Sequence, residues 1–224
     1  MNEEVEIQVR QASRALARAG LVGPYGHCSS RLNQSEMLVC AAKPMGTIRP
    51  GEDGTVVPIS GTLPDGVLGE VRVHQQIYQR RPDVNAICRI IPPRVQAMSV
   101  LGRSPKARHG FSVFFYPEPP FFDDPTLMRS DEVASAVADK LGSFSGVILR
   151  ANGAVVVGAN IKQAVTLGVF LEEMCTIELA VLAAGESLIA PLLSEAEAAG
   201  RRTWAGRVAE RMWDYLTDGD PESA

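Results

Sequence analysis

The residues with the most distinct chemical character are a strand arginine and the isoleucine two positions after it. Arg89 lies in the apolar run 86–91, which ends at Pro92 and Pro93 and predicts a buried strand. Side chains two positions apart on a strand point to the same face, so Arg89 and Ile91 share one face. A buried arginine is costly unless an anion pairs with it. The pattern predicts either a structural ion pair at Arg89 or a site where Arg89 stabilises an anionic ligand.

Glu70 is the second candidate for chemistry. It follows the apolar residues Val67 and Leu68, and a carboxylate in such a place can move a proton at a reacting centre. The alternative is a structural carboxylate in the first turn of a helix, held by backbone donors. His74 comes four residues later on the same helical face, where it could share a hydrogen bond with Glu70 or be an ordinary buried histidine.

Lys43 and Asn152 are polar residues in predicted turns. Lys43 lies between apolar residues and could receive a carboxylate, or form a Schiff base if burial lowered its pKa. The alternative is a surface lysine beside a turn. Asn152 and Gly153 form a turn dipeptide suited to positive φ, between the predicted strands 147–149 and 154–157. We therefore treat Lys43 and Asn152 as candidates for orienting a substrate.

Helices and strands alternate along the chain and would position these groups. Helices are predicted at 3–19, 70–79, 130–141 and 160–182, and further strands at 37–42 and 55–59. Ser130 and Asn160 are predicted N-caps, and Gly20 is placed to end the first helix. The pattern predicts an α/β fold.

Two other segments differ from this regular pattern. Segment 102–125 carries many prolines and aromatic residues, which indicates an irregular, partly packed excursion that could line a pocket. There is no internal repeat or linker, so residues 1–220 are predicted to form a single domain. Residues 221–224 are predicted to be a disordered tail.

Composition excludes some classes of function. The net charge of −4 over 224 residues gives no basic field for nucleic acid, so DNA and RNA are not expected partners. No apolar run of membrane-spanning length and no charged-then-apolar leader is visible, so we expect neither membrane insertion nor secretion. Four scattered cysteines without a C-x-x-C pair are typical of reduced thiols, which favours a cytoplasmic location.

Several blocks, in this order, resemble those of the class II aldolase/adducin family. They are Gly-His-Cys-Ser-Ser-Arg at 26–31, Gly-Glu-Val-Arg-Val-His at 69–74, the run 77–93, and Leu-Arg-Ala-Asn-Gly at 149–153. The resemblance implies a three-layer α/β/α sandwich around a mostly antiparallel central sheet. It also implies a homotetramer with sites between neighbouring subunits, and it gives Glu70 the family's acid/base role.

The family's metal-binding histidines are replaced in this sequence. A His-x-His-Pro strand and an Arg-Asn-His-Gly hairpin hold a divalent ion in the family, and Arg89, Ile91 and Asn152 stand at those positions here. A guanidinium stays protonated and only donates hydrogen bonds, so Arg89 cannot replace a metal ligand. We therefore expect no metal at that site and no other cofactor.

The same resemblance bears on the substrate. His27 stands where sugar-phosphate aldolases carry a phosphate-contacting asparagine, and a histidine there resembles the family's decarboxylase-like branch. The phosphate-binding segments also look lost, which favours a small, carboxylated, non-phosphorylated substrate, aromatic acids included. In the implied tetramer, the segment 211–215 could reach a pocket with Tyr215 or Trp213 as a lid, although a plain packing helix explains it equally well.

Three functions are compatible with these observations. The first is a metal-independent lyase with Arg89, Glu70 and His27 as catalytic residues, and with Lys43, Asn152, His74 and Tyr215 binding the substrate. The second is a non-catalytic, adducin-like oligomeric binding module. The third is a metalloenzyme with a relocated site built from His27, His74 or His109. The charged residues Glu70, Lys43 and Arg89 favour the lyase, whereas the loss of every metal histidine favours the binding module. We prefer the lyase.

Overall fold

The computed structural model describes residues 3–186 and 188–223. The described helices are α1 (Glu3–Arg18), α2 (Arg72–Arg80), α3 (Pro93–Val100), α4 (Asp131–Leu141), α5 (Ile161–Ala183), α6 (Glu195–Arg201) and α7 (Val208–Thr217). The strands are β1 (His27–Arg31), β2 (Glu36–Val39), β3 (Thr55–Pro58), β4 (Ala86–Ile90), β5 (Phe121–Phe122), β6 (Gly146–Leu149) and β7 (Ala154–Gly158). Short 3-10 turns cover Met45–Thr47, Gly69–Val71 and Ser112–Phe115.

The strands form one seven-stranded sheet in the order β3-β2-β1-β4-β7-β6-β5. All neighbouring strands pair antiparallel except β5 and β6, which are parallel. The sheet is therefore mixed but mostly antiparallel, as the resemblance implies. At its centre, β1 pairs with β4 in a register that sets His27 opposite Arg89.

Helices cover both faces of the sheet. Helices α1, α3, α5 and α7 enclose one apolar cluster, to which the strands contribute Cys28, Cys88 and Val156. Helices α2 and α4 enclose the second cluster on the other face, where Ile87, Val155 and Val157 point. The residues of each strand are divided between the two clusters because successive side chains on a strand point to opposite faces of the sheet. The predicted three-layer α/β/α sandwich is confirmed.

The helix starts show how local sequence sets the boundaries. The Oγ of Ser130 accepts a hydrogen bond from the Val133 N–H at 3.3 Å, and the Oδ1 of Asn160 accepts one from the Gln163 N–H at 3.0 Å. Both predicted N-caps are confirmed. The prediction that α2 begins at Glu70 is wrong, because Gly69–Val71 is a separate 3-10 turn and α2 begins at Arg72.

The C-terminal segment packs against α1. Arg14 donates from Nε to Asp220 at 2.7 Å, and Glu222 accepts from Arg10 Nη2 at 2.6 Å and from Arg14 Nη2 at 2.7 Å. This arrangement corrects the prediction of a disordered tail for residues 221–223, since charge-assisted hydrogen bonds tie Glu222 to the first helix. Residue 224 lies outside the described residues.

The proline- and aromatic-rich segment is packed as predicted. The ring of Phe111 stacks on Phe170 of α5 with centroids 4.3 Å apart, and Phe115 is fully buried. The edge strand β5 is the regular part of this segment. None of the described helices has the length and apolar character that a membrane span requires.

The four cysteines are all buried. Cys28 pairs with Cys88 across β1 and β4, and the Cys40 N–H donates to the Cys28 carbonyl at 3.0 Å, so three of the thiols lie in a row across neighbouring strands. Burial raises the pKa of the Cys88 thiol, which keeps it protonated at neutral pH.

Candidate active site

A cavity of about 870 Å³ opens at one end of the central strands. Its wall comes from the start of β1, the turns at 42–44 and 67–70, the end of β4, the β6–β7 turn and the loop at 127–129. Five of the residues proposed from sequence line it, namely His27, Lys43, Glu70, Arg89 and Asn152. Arg89 and His27 project from the sheet face covered by α2, because they occupy opposed positions on β4 and β1.

Gly153 allows Asn152 to reach this cavity. Its φ is +71°, and a Cβ added there would lie 2.1 Å from the carbonyl oxygen of Ile90. Only glycine tolerates both that backbone conformation and that close approach. The β6–β7 turn can therefore fold over the end of β4, which brings the amide of Asn152 to the guanidinium of Arg89.

Arg89 is almost fully enclosed, with 2% of its surface exposed. Its Nη2 donates a hydrogen bond to Oδ1 of Asn152, and its Nε lies 3.9 Å from Oε2 of Glu70. Within the described part of the chain, Nε and Nη1 have no hydrogen-bond acceptor. Burial lowers the pKa of Arg89, while the charge of Glu70 opposes that shift, and a guanidinium remains protonated at neutral pH. The side chain is a buried cation whose hydrogen-bonding capacity is only partly used.

Glu70 is surrounded by donors that do not quite reach it. Oε2 lies 3.9 Å from Arg89 Nε and 4.0 Å from His27 Nε2, and Oε1 lies 3.8 Å from Arg129 Nε. These distances exceed normal hydrogen bonds, although the two cations still favour a nearby negative charge. The Glu70 side chain keeps 19% of its surface exposed. It is accessible from the cavity and is held by charge rather than by a fixed hydrogen bond.

His27 and His74 form a buried pair. The Nδ1 of His27 lies 2.9 Å from Nε2 of His74, whose Nδ1 lies 2.7 Å from Oγ of Ser29. Burial and the charge of Arg89 lower the pKa of His74 to about 3, and burial, His74 and Arg89 lower the pKa of His27. Both rings are therefore neutral near pH 7. Of the two alternatives for His74, the structure has the buried histidine and not the hydrogen bond to Glu70, because both of its nitrogens face other partners.

Lys43 lines the cavity, but its charge is shared. Its Nζ lies 2.8 Å and 3.0 Å from the two carboxylate oxygens of Glu52, and the lysine pairing lowers the pKa of Glu52. About a third of the Lys43 side chain is exposed. This environment differs from the desolvated pocket that a Schiff-base lysine requires.

Tyr215 lies away from this cavity within the chain. It is 77% exposed and borders a separate apolar cavity of about 360 Å³, together with Phe111, Phe170 and Met212. His109 is also absent from the lining of the larger cavity. It lies in the packed segment 102–125, where its backbone N–H donates a hydrogen bond to Ser112 Oγ at 3.2 Å. A substrate contact from Tyr215 would require a neighbouring copy of the chain.

Sequence reasoning missed several residues of the site. Arg129 and Tyr25 line the cavity, and Ser29 and Tyr78 stand behind His27 and His74. Arg129 precedes a helix cap and belongs to none of the blocks quoted above, so no sequence signal marks it. Ser29 lies in the first block, two residues after His27, and strand alternation places both on one face. That spacing could have revealed the role of Ser29.

The residues at the positions where the resemblance implies metal ligands do not fit a divalent ion. Arg89 and Asn152 hydrogen-bond to each other, and Ile91 beside them offers no donor atom. A fixed cation already occupies this position, and it would repel a metal ion. Within residues 3–186 and 188–223, no group of three or more His, Cys, Asp or Glu side chains is arranged to hold one.

The chain matches a known protein family over most of its length. Residues 7–179 match the model of the Class II Aldolase and Adducin N-terminal domain. The chain belongs to this family. Solved structures agree on the fold: L-fuculose 1-phosphate aldolase from Glaciozyma antarctica PI12 superposes with a TM-score of 0.79 at 22% identity, covering 96% of this chain and 88% of the aldolase.

Two relatives of similar length carry the name of a decarboxylase. The chain is 27% identical over 205 residues to a 3,4-dihydroxyphthalate decarboxylase from Rhodococcus jostii (strain RHA1), which covers 84% of both proteins. It is 26% identical over 196 residues to a protein of the same name from Arthrobacter keyseri, covering 79% of this chain and 78% of the relative. The chain is thus similar in sequence to these two decarboxylases, while the solved aldolase shares its architecture.

Proposed function

We propose that this protein is a decarboxylase-type lyase for a small, carboxylated, non-phosphorylated substrate, aromatic acids included, and that it works without a metal ion. The observation that carries the proposal is Arg89, a buried cation on the cavity wall with two nitrogens that lack acceptors in the described chain. Such a group stabilises an anion strongly because water does not screen it.

The charge around the cavity supports a carboxylated ligand. Arg89 and Arg129 both lie within 4 Å of the single carboxylate of Glu70, so one positive charge remains unmatched there. Lys43 is already neutralised by Glu52. The relatives from Rhodococcus and Arthrobacter are named for 3,4-dihydroxyphthalate, a compound with two carboxylates on an aromatic ring. The apolar rim, with Tyr25 and Leu127, suits a ring.

Loss of carbon dioxide requires a place for the electron pair and a source for a proton. The bond between the carboxylate and the ring or chain carbon breaks, CO₂ leaves, and the electrons delocalise onto a conjugated oxygen. Arg89 stabilises the negative charge on that oxygen. The Glu70 carboxylate takes a proton from water and passes it to the carbon, so it ends the reaction as the carboxylate it was, and the hydroxide left over combines with CO₂ as bicarbonate. Neutral His27 directs its Nε2 toward the same region and orients the substrate.

Lys43, Asn152, His74 and Tyr215 complete this proposal, with Lys43 and Tyr215 as substrate contacts and Asn152 and His74 as residues that position the groups in contact with substrate. Asn152 fixes the guanidinium of Arg89, and His74 acts behind His27. Tyr215 would contribute from a neighbouring copy in a homo-oligomer, with a tetramer as the expected state and sites at subunit interfaces. Size determination by light scattering, together with Tyr215→Ala kinetics, tests this part separately.

The central experiment is a screen for CO₂ release. Hydroxylated benzoates and phthalates, including 3,4-dihydroxyphthalate, would be incubated with the protein in the presence and absence of a chelator, with L-fuculose 1-phosphate as the phosphorylated comparison. We expect decarboxylation of a carboxylated compound, unchanged by the chelator. Elemental analysis should find far less than one metal ion per subunit. Glu70→Gln and Arg89→Met should abolish the reaction, while the matched surface variant Glu132→Gln should keep it.

The alternatives give different results in the same screen. Activity that disappears with the chelator and returns with a divalent metal would favour the relocated metalloenzyme. No turnover of any compound by the folded oligomer, with no binding of carboxylated ligands, would favour the non-catalytic adducin-like module.

A further inference from the structure

A chain of buried hydrogen bonds runs from the core to the candidate site. Tyr78 OH lies 2.9 Å from Ser29 Oγ, which lies 2.7 Å from His74 Nδ1, and His74 Nε2 lies 2.9 Å from His27 Nδ1. All four side chains have at most 2% of their surface exposed. This series of hydrogen bonds begins at Tyr78 on α2, inside the protein, and ends at His27 on the cavity wall.

Nε2 of His27 is the open end of this chain. It has no hydrogen-bond partner among the described residues. Two charged groups stand near the ring: Oε2 of Glu70 lies 4.0 Å from Nε2, and Arg89 is the residue opposite His27 on β4. The other ring nitrogen is already engaged by His74. A ligand in the cavity can therefore meet His27 only through Nε2.

The direction of the hydrogen bonds decides what Nε2 offers. A neutral imidazole carries one proton, so if His74 donates to Nδ1 of His27, the His27 proton must be on Nε2. His74 can donate there only if its own Nδ1 accepts from Ser29, whose oxygen then accepts from Tyr78. The opposite direction would turn a bare lone pair of His27 toward Oε2 of Glu70. With the proton on Nε2, His27 and Arg89 Nε both present donors to that carboxylate oxygen, at 4.0 Å and 3.9 Å.

We propose that Ser29, Tyr78 and His74 are positioning residues that hold His27 as the Nε2–H tautomer, so that this ring donates a hydrogen bond to a substrate oxygen beside Glu70. The activity part of this inference rests on the proposed function, while the tautomer part does not. A buried partner that fixes the tautomer of a functional histidine can control the rate without contacting substrate.

The four hydrogen-bonded side chains can fix the tautomer of His27 because they are buried and held in place. The Tyr78 hydroxyl also lies 3.2 Å from the Ser29 carbonyl oxygen, so its single proton is directed at two acceptors of the same residue, Oγ and the carbonyl oxygen. Burial raises the pKa of Tyr78, and the two histidines are neutral, so no member gains or loses a proton near pH 7. The hydrogen-bonded series therefore keeps the same protonation near pH 7 and supports His27 in one orientation.

The experiment uses the three histidines of the sequence as reporters. In protein with ¹⁵N-labelled imidazole rings, long-range ¹H–¹⁵N spectra distinguish a protonated from a bare ring nitrogen. His27→Asn, His74→Asn and His109→Asn assign the signals, and His109 serves as the internal reference. We expect wild-type His27 to be protonated on Nε2 and His74 on Nε2, unchanged between pH 5.5 and 8.

Variants then test the support itself. Ser29→Ala should convert His74 and His27 to mixed tautomers and lower kcat at least about tenfold with little change in KM. Tyr78→Phe should have the same effects, but more weakly. Ser29→Thr keeps the hydroxyl group and should therefore retain the wild-type spectrum. Ser30→Ala, at the adjacent position on the opposite face of β1, is the matched control.

Two results would overturn the proposal. One is a wild-type His27 protonated on Nδ1, and the other is a folded Ser29→Ala or Tyr78→Phe protein with unchanged tautomers. Because these spectra need no substrate, they remain decisive even if the decarboxylase proposal fails. If Ser29→Ala does not fold, Tyr78→Phe, which loses a single oxygen atom, provides the same test.

Discussion

Arg89 and Asn152 hydrogen-bond to each other across the end of β4 and the β6–β7 turn. The resemblance to the family places metal ligands at both positions, so one side chain brings a positive charge and the other orients it. Arg89 places a positive charge at this position, and that charge stays fixed to the sheet. Asn152 can hold it only because Gly153 allows the turn to approach Ile90 closely.

The first prediction separates activity from stability at Arg89. Arg89→Met removes the charge and keeps much of the volume, so we expect kcat/KM to fall at least about 100-fold, which corresponds to the loss of one preorganised donor at about 2.7–4 kcal/mol. The free energy of unfolding should stay equal or rise, because a buried charge is removed. Kinetics and urea unfolding measure the two effects. A large loss of stability would instead identify Arg89 as a structural ion-pair partner.

The second prediction restores the metal site. In the variant Arg89→His/Ile91→His/Asn152→His, three imidazoles would stand where the wall now holds a guanidinium, an isoleucine and an amide. We expect this variant to bind one Zn²⁺ per subunit by calorimetry, while wild type binds none at the same concentration. The double variant that keeps Asn152 is the control and should bind more weakly. Failure of the triple variant to bind would show that the three positions do not converge.

The third prediction concerns Arg129 at the mouth of the cavity. Its Nε lies 3.8 Å from Glu70, and 66% of its side chain is exposed. An exposed charge contributes little, so Arg129→Gln should raise KM for a dicarboxylate about threefold and leave kcat unchanged. The effect should shrink as ionic strength increases. Arg103→Gln, which removes an exposed charge elsewhere, is the matched control, and a change in kcat would place Arg129 in the chemical step.

The fourth prediction concerns pH and the C-terminal clasp formed by Arg10, Arg14, Asp220 and Glu222. Hydrogen bonds and charge from the arginines lower the pKa of both carboxylates against the opposing effect of burial. Groups with a lowered folded-state pKa stabilise the protein above their ordinary pKa and lose that contribution as pH falls through the folded value. Asp220→Asn/Glu222→Gln should therefore lower stability at pH 7 by about 1–3 kcal/mol.

Thermal unfolding between pH 7 and pH 3 measures this effect. The difference between wild type and the double variant should be constant from pH 7 to about pH 5 and shrink below about pH 4. Asp214→Asn, which breaks the exposed pair with Arg207, should change stability little at any pH. A pH-independent difference would mean that packing, rather than charge, holds the segment.

Much of the fold follows from local sequence. Ser130 and Asn160 define helix starts by their capping side chains, and the apolar run 86–91 is the central strand β4. These features are readable because each depends on neighbours in the chain or on strand alternation. The sandwich, by contrast, was implied by the resemblance to the family.

The site was only partly predictable. Sequence spacing placed His74 beside Glu70, yet a 3-10 turn at Gly69–Val71 separates Glu70 from α2, so the two residues do not share a helical face. The pairing of His27 with His74 depends on how α2 packs on β1, and sequence spacing does not give that distance. The Lys43–Glu52 pair and the position of Arg129 likewise depend on loop geometry.

The buried row of Cys28, Cys40 and Cys88 gives the wild-type protein a built-in reporter of its own opening. A thiol reagent added to the native protein has no exposed cysteine to attack, so each labelled molecule has first exposed its core. The rate of labelling therefore counts opening events directly. Because these thiols lie on the opposite sheet face from His27 and Arg89, a ligand that slows their labelling would show that occupancy of the cavity tightens the whole sandwich.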